Sequence, residues 1–194
     1  MNKFIIGVLL TIITSCSLIN ITSSKSSTYS KKVNNKDSLA FELCQIFGFD
    51  QGIRNLSKNP EYTVKLFNEI DSTNFVKIIT FIKINGFPNV KIFNLKNWEI
   101  ECVQMSAISV LLHNSTRVIQ PEVYELLKNE VKIGNLKSET LAIILDKYYC
   151  LYKGASLYGT TFKAPCISDK EKVNNARLDI GLNVLNDSLF VQCK

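Results

Sequence analysis

From residue 38 onward the apolar residues recur three and four positions apart, the spacing of a helix face. The stretches between them close on glycine, proline or short polar residues, so a helical domain is predicted. Asp37 or Ser38 caps a first helix with Leu39, Leu43, Ile46 and Phe47 on one side, expected to reach about Leu56. Pro60 suits the opening turn of a second helix carrying Val64, Phe67 and Ile70. Asp71 and Ser72 read as the cap of a third, with Phe75, Ile78, Ile79 and Ile82 inward, which Gly86 and Pro88 stop. Further helices are expected over 97–113, 121–131 and 138–149, and a last one from Asp169 to about Ile180, before Gly181. Residues 156–162 and 164–167 are short and rich in β-forming side chains, which predicts a small hairpin or extended pair. The fold class is therefore mainly α: one multi-helix domain over 38–194 with a minor β element near 156–167.

Charge narrows the partners. The 194 residues carry a formal net charge of +6, but five of the 23 basic groups (Lys3, Lys25, Lys31, Lys32 and Lys36) precede residue 38. The body beyond has 18 basic and 16 acidic groups. A nearly neutral body has no electrostatic footprint for a phosphate backbone, which argues against nucleic acid as a partner.

The amino terminus reads as an address. Lys3 precedes an apolar run over residues 4–13, too short for the roughly 20 residues a spanning helix needs. It reads as an export signal. The run ends in Ile13-Thr14-Ser15-Cys16, which resembles the lipobox of bacterial lipoproteins. That resemblance implies cleavage after residue 15, acylation of Cys16 and a membrane partner reached through lipid. Ser17, rather than an acidic residue, follows the cysteine and implies the outer membrane, facing the periplasm. The plainer alternative is an ordinary secretory signal with an incidental thiol. Residues 16–37 are dominated by Ser, Thr, Asn and Lys and read as a flexible tether.

With Cys16 lipidated, Cys44, Cys102, Cys150, Cys166 and Cys193 remain, an odd number that leaves one thiol unpaired. None lies at zinc-knuckle or redox-pair spacing, and His113 is the only histidine. No metal and no cofactor is implied. Buried free thiols on helix faces are the simplest reading of Cys44, Cys102 and Cys150, and a Cys150–Cys166 bridge is one alternative.

Several polar groups exceed what a bland helix needs. Asp50 and Arg54 stand four apart, with Gln51 between them. Asp71 and Asn74 open the expected third helix, and His113 ends an apolar one. Asp146 interrupts another apolar face, Tyr158-Gly159-Thr160 follows, and Arg177 lies on the last helix before Gly181. In this order, with Gly86 and Pro88, these motifs resemble a bacterial family known as domain of unknown function 6624, over roughly residues 41–185. Three positions depart from its pattern: Phe87 replaces a usual Trp, Lys147 a usual Arg, and Thr161 a usual Gln. The family brings no activity with it.

Each group has an ordinary reading as a surface ion pair, a helix cap or a backbone stop. The functional expectation is that they gather round one partly buried pocket. Gln51, Arg54, Asp71, Asn74, Tyr158, Thr160 and Arg177 would then bind a small polar or anionic ligand, the arginines supplying planar donor forks. As an alternative, an envelope hydrolase would use His113 as general base, oriented by Asp50 or Asp146. No Gly-x-Ser-x-Gly elbow, phosphate loop or Cys–His signature favours that chemistry. A second alternative is a structural or protective lipoprotein.

Overall fold

The computed structural model describes residues 36–54 and 60–193. The signal peptide expected at 1–15, Cys16, nearly all of the tether and the expected helix end near Leu56 lie outside the described residues. Helix α1 (Lys36–Arg54) begins two residues ahead of the expected domain start. It buries Ala40, Leu43, Ile46, Asp50 and Ile53, an i, i+3, i+4 stripe with one acid in it. Helix α2 (Pro60–Asn85) runs unbroken for 26 residues. The expected break at Asp71 is absent, because Asp71 and Asn74 bond to α1 instead of capping a new helix.

Gly86, at φ 85°, ends α2 as expected. A Cβ there would meet the Asn135 side chain at 2.8 Å, so the close approach of this turn requires glycine. The helix expected over 97–113 is divided into α3 (Leu95–Trp98), capped by the Asn94 side chain, and α4 (Glu101–His113). Helices α5 (Ser115–Val118), α6 (Pro121–Lys132) and α7 (Ser138–Tyr148) follow, and α7 continues into a widened π turn over Tyr149–Lys153. Helix α8 (Lys170–Asp179) precedes an irregular tail with one short 3-10 turn, Asp187–Leu189.

α1 packs on α2 and α4, and α4 on α7. Leu43 and Ile46 of α1, Ile78 and Ile82 of α2, Val103, Val110 and Leu111 of α4, and Leu141, Ile144 and Leu145 of α7 fill one core. Among the described residues no helix is long and apolar enough to cross a membrane.

Two expectations are corrected. No strand forms among the described residues, so the hairpin near 156–167 is not present. The N–H groups of Leu157, Tyr158 and Thr160, which a hairpin needs for pairing, all donate to the Asp146 carboxylate. The only extended pairing there joins Cys166 to Val191 of the tail as a single parallel bridge. The cysteines also pair differently. Cys44–Cys102 ties α1 to α4, Cys166–Cys193 ties the tail to the segment before α8, and Cys150 is free. Cys44 and Cys102 were each expected as a free thiol on a helix face, and those two faces are the ones that pack together.

Candidate functional site

Hydrogen bonds sort the candidate residues into two groups. The first joins α1, α2 and α4 around Asp50, which is 0% exposed. Burial of Leu43 and Ile46 rotates Asp50 into the same face, so its carboxylate enters the seam between helices. His113, at the last turn of α4, approaches it with Nδ1 3.0 Å from both oxygens and donates its Nδ1–H there. Gln51 donates from Nε2 to Oδ2 at 2.7 Å. Arg54 Nη1 lies 3.2 Å from Oδ1 and also donates to the Asp50 carbonyl, while its Nη2 donates to Asp71 Oδ1 at 2.9 Å. The guanidinium covers the Phe67 ring at 5.7 Å. Asn74, nearly unexposed, donates to the Ile46 carbonyl. Gln51 is thus engaged with Asp50, Arg54 with Asp50 and Asp71, and Asn74 with the backbone of α1. The His113 imidazole is 30% exposed, and among the described residues its contacts run through Nδ1.

The second group surrounds Asp146 of α7, also 0% exposed. Its oxygens accept from the Ser156 hydroxyl at 2.6 Å, from the N–H groups of Leu157, Tyr158 and Thr160 at 2.7, 2.9 and 3.0 Å, and from the Thr160 hydroxyl at 2.9 Å. Five donors occupy every lone pair of one carboxylate. Asp146 therefore holds the 156–160 loop, and Asp50 is the acid that orients His113. The Tyr158 side chain, carried by this loop, is buried, and burial first and the neighbouring Tyr124 and Tyr149 next push its hydroxyl pKa far up. Arg177 of α8 donates to the carbonyls of Tyr158 and Asn183, and burial lowers its pKa.

Above this loop opens a cavity of about 440 Å³. Ala142, Ile143, Leu182 and Leu185 form its apolar lining, and Thr160, Thr161, Arg177 and Glu139 its polar one. Gly159, at φ 67°, sits on its edge, where a Cβ would meet Leu185 Cδ2 at 2.7 Å. Thr160 and Arg177 of the expected ligand set line this cavity, and Arg54 belongs to the first group. The expectation of one hollow holding both arginines does not match this arrangement. Glu139, Ile143, Leu182 and Leu185 were not anticipated. Gly181, read only as a helix stop, was the available signal, since it turns the tail back so that Leu182 and Leu185 reach the cavity. Among the described residues no cluster of three or more His, Cys, Asp or Glu could hold a metal ion. No family model, curated protein or solved structure matches this chain.

Proposed function

We propose that the chain is a lipid-anchored bacterial envelope protein, held by Cys16 on the outer membrane and facing the periplasm, whose helical domain binds a small polar or anionic ligand. The observation that carries the ligand reading is the cavity beside Arg177, where a guanidinium, two threonines and Glu139 border an apolar floor of Ala142, Ile143, Leu182 and Leu185. Arg177 bonds backbone carbonyls through Nε and Nη1, which leaves Nη2 for an anion. Two disulfides suit an oxidising compartment and agree with export. On the order of its motifs we also assign the chain to the domain of unknown function 6624 family.

The test is affinity capture of envelope metabolites and muropeptides on the protein, read by mass spectrometry. An anionic small molecule is expected to be enriched, and Arg177→Leu to weaken its binding about ten- to a hundredfold, the worth of a charge-assisted hydrogen bond. Enrichment of nothing, or equal enrichment by Arg177→Leu, overturns the reading. For the anchor, mass spectrometry of the native membrane form is expected to find Cys16 acylated. An unmodified Cys16 ends that part of the proposal.

The Asp50–His113 pair favours a second reading, an envelope hydrolase. Asp50 fixes the imidazole through Nδ1–H, and Nε2 is then the basic nitrogen toward solvent. In that case His113→Ala abolishes turnover of an envelope substrate while leaving capture by the Arg177 cavity intact. Equal turnover by the variant excludes it.

A further inference from the structure

Between Asp146 and Asp169 the chain holds three lysines, five aromatic rings and no acid. The fold brings most of these groups to one surface around the π turn. Tyr148 stacks on Tyr152 with ring centroids 5.2 Å apart, and Lys153 Nζ lies 6.0 Å from the Tyr148 ring. Lys147 Nζ lies 5.3 Å from the Phe162 ring, and Lys163 donates to the Gly154 carbonyl. Lys147 and Lys163 are both near enough to Cys150 of the turn to act on its thiol electrostatically. At the tip Leu151 and Tyr152 are each 59% exposed, and Phe162 is 40% exposed.

This surface has a definite chemistry. A π turn is a rare widening of the helix, and here it carries a leucine and a tyrosine out to a position where each stays more than half exposed. Tyrosines beside an exposed leucine and phenylalanine, ringed by lysines, match the boundary between acyl chains and head groups: apolar tips enter and ammonium groups meet phosphates. Asp146, under the patch, is buried with its oxygens occupied by the 156–160 loop. At the margin Asp169 lines a small hollow that it shares with Lys153 and Lys172. The remainder of the body is almost balanced in charge, so the positive excess is local.

We propose that the Tyr149–Lys153 turn and the Phe162–Lys163 segment form a docking surface for an anionic phospholipid bilayer. Leu151 and Tyr152 insert at the head-group boundary, and Lys147, Lys153 and Lys163 contact lipid phosphates. The surface works whether or not Cys16 is acylated, and with an anchored chain it sets which side of the domain lies against the membrane.

The test uses the full chain carrying Cys16→Ser, so that no acyl chain contributes. Its partition is measured on vesicles of phosphatidylcholine with phosphatidylglycerol and on vesicles of phosphatidylcholine alone. The apolar leader contributes to both and the tether lysines to the anionic preference, so the deciding comparison is between variants. K147Q/K153Q/K163Q is expected to lower the anionic preference about a hundredfold, since each lysine near an anionic surface contributes about fivefold. L151S/Y152S is expected to lower partition on both vesicle types. The unsubstituted patch should also lose its anionic preference as salt rises, a readout that needs no variant. An anionic preference unchanged by K147Q/K153Q/K163Q overturns the proposal. So does salt-sensitive binding of a single-stranded oligonucleotide that equals vesicle binding and vanishes in the same variant.

Discussion

A carboxylate hidden from water must find a donor for its lone pairs or lose its charge. Asp146 meets that demand from one loop only, and its five donors come from four residues between Ser156 and Thr160. Asp146→Ala strands these donors and is expected to destabilise the protein by about 3 kcal/mol, with the backbone amides of Leu157, Tyr158 and Thr160 losing most of their hydrogen-exchange protection. Urea unfolding and exchange together check this, and protection retained at those amides contradicts the clamp. Tyr158, of the same loop, makes a pH prediction. Burial raises its pKa well above the ordinary 10.0, so the folded state keeps a proton that the unfolded chain gives up. Its contribution is fully present below pH 10 and declines above it, by about 1.4 kcal/mol per pH unit for one proton. Tyr124 is shifted the same way, by burial first and by the bond to Asp179 next. Alkaline unfolding should therefore steepen above pH 10, and Tyr158→Phe should flatten it in stability measurements across that range.

Elements were legible where they own an apolar face. Leu43 and Ile46, Val103 and Ala107, and Leu141 and Leu145 mark their helices by spacing, and all of them are core residues. Reading failed where a local signal served a distant partner. Asp71 followed by Ser72 and Asn74 has the composition of a helix cap, yet Asp71 takes the Arg54 guanidinium and α2 runs on through it. The β-forming residues of 156–162 cannot form a hairpin once Asp146, ten positions away in sequence, removes their N–H groups. The Asp50–Arg54 pair was legible because it is four residues apart on one helix, whereas His113, 63 residues from Asp50, carries no pairwise signal. Cys44 and Cys102 were invisible as a pair for the same reason, at a separation of 58. Closing that loop restricts the unfolded chain, and C44S/C102S is expected to cost about 2–5 kcal/mol. The measurable consequence is a lower urea midpoint with a somewhat steeper slope, because the unfolded chain without the bridge exposes more surface. An unchanged midpoint would mean that packing alone joins α1 to α4.

At the scale of the whole molecule the two disulfides divide the work. Cys44–Cys102 braces the α1–α4 seam that holds Asp50 and His113. Cys166–Cys193 instead fastens the tail, whose course after Gly181 brings Leu182 and Leu185 to the cavity. Further contacts hold that tail. Asn174 Oδ1 accepts the Leu185 N–H at 2.9 Å, the Arg177 Nε–H reaches the Asn183 carbonyl at 2.8 Å, and Val191 pairs with Pro165 and Ile167. Contacts of this kind, few and made outside the regular helices, open at low free energy, so the bridge decides how often the cavity wall is in place. C166S/C193S should therefore leave the core nearly unchanged while the Leu185 amide exchanges faster. Because binding competence scales with the closed fraction, affinity for any cavity ligand should fall by the same factor as the closed population. Hydrogen exchange at Leu185 compared with that at Val110 of α4 separates the outcomes. Faster exchange at Leu185 alone supports a locally fastened wall, and parallel acceleration at both sites means that the tail bridge stabilises the whole domain.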